Sequence, residues 1–68
     1  MKPCIIIPER IMGRTRYTAI SEHLSKITFN GGQYQPLANL LEKSGYQIMP
    51  LNSRFARTIL DKLEGQSV

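Results

Sequence analysis

The chain has 68 residues, nine Lys and Arg against five Asp and Glu for a formal charge of +4, and a 41% hydrophobic composition. That length allows one domain, which buries only about 60% of the surface its unfolded form exposes. One small core supplies roughly 3–5 kcal/mol net, so a homodimer or a bound partner is an open source of further stability. A single cysteine excludes an intramolecular disulfide framework and a cysteine-rich zinc site, and the longest apolar run, residues 4–7, is too short for a membrane span of roughly 20 residues or a signal-peptide core of about 7–15. No membrane is expected, and cytoplasm is the expected compartment.

Cys4-Ile5-Ile6-Ile7 is rich in β-branched residues and bounded by Pro3 and Pro8, which predicts a short buried strand that ends at Pro8 or runs along a sheet edge. Cys4 then serves as a small hydrophobe. Residues 8–13 place proline at a first helical position with Gly13 after it, so a single helical turn fits. Arg10, Arg14 and Arg16 cluster here, and Gly13-Arg14-Thr15-Arg16 is either an anion site at a helix start or an exposed loop. Tyr17, Ile20, Leu24 and Ile27 are spaced three and four apart, which predicts the first amphipathic helix, capped by Thr15 or Thr18. His23 lies on that helix, half-buried or on its rim.

Asn30-Gly31-Gly32 breaks the chain because these residues tolerate positive φ. Ile27-Thr28-Phe29 and Gln33-Tyr34-Gln35 flank the break, so a small hairpin competes with a loop between helices. Without the lysine and hydroxyl of a phosphate-binding loop, the segment reads as a turn. Pro36 at a first helical position, Leu37, Leu40 and Leu41 pointing inward, and Gly45 as a left-handed stop define the second helix. Residues 45–52 form either a loop or a short strand that stops at Pro50. The last helix covers residues 52–63, capped by Asn52 or Ser53. On a helical wheel Phe55, Ala56, Ile59, Leu60 and Leu63 share one arc, opposite Arg54, Arg57, Thr58 and Asp61. Arg57 and Asp61, four apart, can pair in the weaker order.

The expected architecture is therefore one small α+β domain over residues 1–68, mostly helical, with about three short helices and one or two short strands. Its core draws on Ile20, Leu24, Phe29, Leu40, Leu41, Phe55, Ile59 and Leu63. A rival topology pairs residues 5–7 with 47–49 as strands and lays the helices over one face. The free edge of such a sheet can recruit a partner strand or a second copy.

Leu37-Ala38-Asn39-Leu40-Leu41, followed by Ser53-Arg54-Phe55-Ala56-Arg57-Thr58-Ile59-Leu60-Asp61-Lys62-Leu63-Glu64, resembles the second and third helices of helix-turn-helix domains of the winged-helix kind. Residues 63–68 are similar to the end of the recognition helix and the start of the first wing strand. The resemblance implies that the first of these helices supports and the second enters the major groove. Ser53, Arg54, Arg57 and Thr58 would then meet phosphates or base edges. The chain departs from that pattern between its helices, where residues 45–52 replace a turn of about three to four residues.

The expected function is a small DNA-binding or transcription-regulatory domain that contacts double-stranded DNA through Arg10, Arg14, Arg16, Ser53, Arg54, Arg57 and Thr58. The alternative is a small non-enzymatic adaptor or inhibitor that grips a protein partner, of the kind mobile genetic elements encode. Tyrosines left outside the core would favour that alternative. His23 and Cys4, with no acid at an arguable spacing, do not suggest an enzyme, and neither a metal nor another cofactor is expected.

Overall fold

A computed structural model describes residues 1–66, in the order β1 (Lys2–Ile11), β2 (Arg14–Ser21), β3 (Lys26–Asn30), α1 (Tyr34–Lys43), β4 (Tyr46–Ile48) and α2 (Arg54–Gln66). The strands form one sheet in the order β3-β2-β1-β4. β1, β2 and β3 make an antiparallel meander, and β4 returns parallel to β1, pairing residues 46–48 with residues 2–4.

Alternation along the strands sends successive side chains to opposite faces, and each face carries a helix. Cys4, Ile6 and Ala19 meet Leu37, Ala38 and Leu41 of α1, whereas Ile5 and Ile20 meet Ala56 and Ile59 of α2. The molecule is three layers thick, with the central strands buried on both sides. Tyr17 of β2 also meets Tyr34 edge-on, ring centroids 6.2 Å apart, which ties the first turn of α1 to the sheet.

The expected mostly helical fold with three helices is corrected: two helices and four strands are present among the described residues. The predicted first helix is β2, a turn and the start of β3. Its three-and-four spacing is incidental, because a strand buried on both faces need not show polar–apolar alternation. His23 accordingly sits exposed in the turn between β2 and β3, not on a helix. Residues 8–13 are strand and hairpin turn, not a helical turn. Residues 27–35 are β3, a loop and the start of α1 rather than a hairpin, and residues 46–48 resolve as strand within the segment left open. The strands expected to pair do become neighbours, through residues 2–4 and 46–48 rather than 5–7 and 47–49, but the helices cover both faces instead of one. Of the expected core, Leu40 is exposed, because α1 buries Leu37, Ala38 and Leu41. Residues 63–68, likened to the end of the recognition helix and the start of a wing strand, are helical through Gln66; residues 67 and 68 lie outside the described residues.

Pro8 does not end its strand. The Cys4 carbonyl accepts the Met49 N–H at 2.8 Å, so the backbone of Cys4, and two residues apart that of Ile6 and Pro8, faces the β4 side. Beyond Cys4 no strand lies there, and a residue without an N–H fits that open edge. Gly45, at φ +92°, occupies the left-handed position after α1, and its carbonyl accepts the Lys2 N–H at 3.0 Å. The glycine that stops the helix thus also starts the β1–β4 pairing.

Candidate functional site

Past Pro8 and Tyr17 the β1–β2 ribbon runs beyond the helix-covered core, and residues 8–14 are all exposed. Ile11 pairs with Arg14 across a two-residue turn in which Met12 (φ 53°) and Gly13 (φ 80°) both adopt positive φ. This is the primed turn whose twist suits a hairpin, and it favours Asn, Asp or Gly at its first position. Met12 is therefore an unusual occupant, and it is 97% exposed.

Strand alternation sorts the three hairpin arginines. Arg14 and Arg16 share the face of Ile5 and Ile20, on which α2 packs; Arg10 shares the face of Cys4 and Ile6, under α1. Arg16 donates to Glu9, its cross-strand neighbour, at 2.6 Å. Both groups are partly exposed, so this ion pair contributes about 0–1 kcal/mol. The Arg16 Nε is shielded from solvent and has no hydrogen-bond partner. A concavity of about 610 Å³ lies between the hairpin tip and the end of β3, bordered by Ile11, Met12, Arg14, Arg16, Asn30 and Gly31. No helix begins at residues 13–16, so the expected anion site there is a strand face rather than a helix start.

On α2, Ala56 and Ile59 face the sheet while Arg54, Arg57, Thr58 and Asp61 are exposed. A shallow groove on this outer face mixes Arg54 and Arg57 with Asp61 and Glu64. Among the described residues Arg14, Arg54 and Arg57 form no ion pair, so the expected Arg57–Asp61 pair is not made. The two hydroxyls of the set are engaged locally. Ser53 Oγ accepts the Ala56 N–H at 3.2 Å and donates to the Pro50 carbonyl at 2.6 Å, which makes Ser53 the cap. Thr58 Oγ1 donates to the Arg54 carbonyl at 3.1 Å.

The structure thus brings Arg14, Arg16, Arg54 and Arg57 to one side of the sheet and sets Arg10 on the other. α1 and α2 lie on opposite faces with β4 between them in sequence. What sequence reasoning missed is Met12; a Met-Gly pair between two strands was a usable signal only once both strands had been recognised.

Cys4 is buried at the centre of the α1-side core, and burial pushes its thiol pKa above the ordinary 9.0. The folded state then holds a proton that the unfolded state releases. The stability this proton contributes is complete below the unfolded pKa and is lost as pH rises through it toward the folded value, at up to about 1.36 kcal/mol per unit. Urea midpoints measured from neutral pH to above pH 9.0 should fall more steeply for the native chain than for Cys4→Ala.

No group of three His, Cys, Asp or Glu side chains is assembled among the described residues, and no helix among them is long and apolar enough to cross a membrane. No protein-family model, curated protein or solved structure matches the chain.

Proposed function

We propose that the α2 side of the sheet binds the phosphate backbone of double-stranded DNA, as expected of a small DNA-binding or regulatory domain. The observation that carries this reading is the convergence of two arginine groups distant in sequence, Arg14 with Arg16 and Arg54 with Arg57, on one side of one sheet, with three of the four lacking a carboxylate partner among the described residues. Guanidinium groups match phosphate oxygens in charge and in fork geometry. Ser53 and Thr58, engaged in the helix, serve it rather than read bases. Arg10 is the most peripheral member of the set. The largest dimension of the molecule, 31 Å, spans about nine base pairs at a rise of 3.4 Å.

Fluorescence anisotropy of a labelled mixed-sequence duplex tests the reading. About three phosphate contacts, from the arginines without a carboxylate partner, give a salt slope near −2.7, so affinity should fall about 40-fold between about 50 and about 200 mM salt. Absence of binding at the lower salt would sink it.

One observation favours the protein-binding alternative. The Gly31 N–H to Thr15 carbonyl bond, 3.0 Å, sets the β2–β3 ladder, so Ile27 and Phe29 bond to β2, and Lys26, Thr28 and Asn30 turn their backbone groups outward. That open edge can accept a strand. Binding through it would be insensitive to salt and to the arginines of α2.

A further inference from the structure

We propose that the hairpin apex, Met12 with Ile11 behind it, is an apolar wedge that enters the minor groove of duplex DNA and parts a base step. The proposal rests on the polyanion reading above and adds a second mode of contact to it. The first observation is conformational. Met12 and Leu24 are the non-glycine residues with positive φ among those described, at 53° and 63°. Leu24 offsets that strain by packing against the Ile5, Ile20, Ala56 and Ile59 cluster. Met12 has no such compensation: its side chain stands in solvent, where asparagine or glycine would hold the same turn at lower cost.

The second observation is position. Met12 is the outermost point of a ribbon whose next residue back, Ile11, is itself 42% exposed. Arg10 lies one residue further back, and Arg14 directly faces Ile11 across the ribbon. An apolar tip beside the unneutralised Arg14 guanidinium is complementary to a groove with stacked bases at its floor and phosphates along its rims. Small apolar side chains, methionine among them, part base steps in this way and kink the duplex toward the major groove. The concavity bordered by Ile11, Met12, Arg14 and Arg16 leaves room behind the tip for the displaced sugar and phosphate.

The variant Met12→Asn separates this role from a structural one, because it should make the fold more stable while weakening the complex. Its thermal midpoint should rise by a few degrees. Loss of one methionine's apolar contact should weaken duplex binding about tenfold and leave the salt slope unchanged, since no charge is removed. A duplex of about 20 base pairs, twice the span of the protein, carries a donor and an acceptor dye at its ends. The native protein should raise energy transfer between them by bending the DNA, and Met12→Asn should abolish that rise. Equal affinity and equal bending by the variant would overturn the wedge while leaving the backbone reading intact. If the native chain bound phosphatidylserine vesicles and left the duplex straight, the apex would belong to a membrane and the wedge would be overturned. No salt-dependent duplex binding by the native chain would remove the underlying reading first.

Discussion

Replacing Ile59 with alanine should cost about 2–5 kcal/mol, which is the whole net stability of a domain this small. Ile59 is 1% exposed and, with Ala56, forms the contact of α2 with Ile5 and Ile20. Its truncation leaves a cavity between helix and sheet that the alanine beside it cannot fill. Leu60, one residue on, is 39% exposed, and Leu60→Ala should cost roughly 1 kcal/mol or less. Circular dichroism through a urea titration reads both variants. Equal losses at the two positions would mean that α2 does not dock through the face described.

The double substitution Arg14→Ala with Arg57→Ala should weaken duplex binding about tenfold or more and make the salt slope shallower by about 1.8, the share of two phosphate contacts. The two residues come from opposite ends of the sequence and are joined only by lying on one side of the sheet. Both are exposed and free of ion pairs among the described residues, so the fold should be unaffected. Arg10→Ala carries the same loss of charge on the other face of the ribbon. It should leave the slope closer to native than either single substitution. A slope that depended only on how many charges were removed, whatever their face, would exclude a sided interface.

Legibility in this chain followed punctuation. α2 was readable to within two or three residues because Ser53 caps it and Phe55, Ala56, Ile59 and Leu63 mark its docking face, although Leu60, expected on that arc, is exposed, and α1 was readable because Gly45 stops it. The strand at residues 4–7 was readable from its β-branched run, yet its length was not. Pro8 reads as a terminator unless the open side of the strand beyond β4 is known. β2 was missed altogether. Tyr17, Thr18, Ala19 and Ile20 are buried or half-buried on alternating faces, each under a different helix, so the two-residue period carries no polarity contrast. A chance three-and-four spacing with Leu24 and Ile27 took its place. The same error hid the hairpin: with neither arm recognised in full, Met12 and Gly13 read as the tail of a helical turn, and the arginines around them could not be divided between two faces.

The short parallel ladder between β1 and β4 also governs the order in which the molecule assembles and comes apart. The β1–β2 hairpin closes over two residues and β3 follows from the next turn, so this meander forms from local contacts. Joining Lys2 to Tyr46 must instead close most of the chain into a loop, at an entropic cost repaid only after α1 is in place. The β4 edge therefore closes after the meander, and its ladder of three residue pairs is much the shorter of the two on β1. Releasing β4 together with α1, which covers Cys4, exposes the thiol while the meander stays paired, so the rate at which a thiol reagent labels Cys4 in the native protein should report this partial opening without global unfolding.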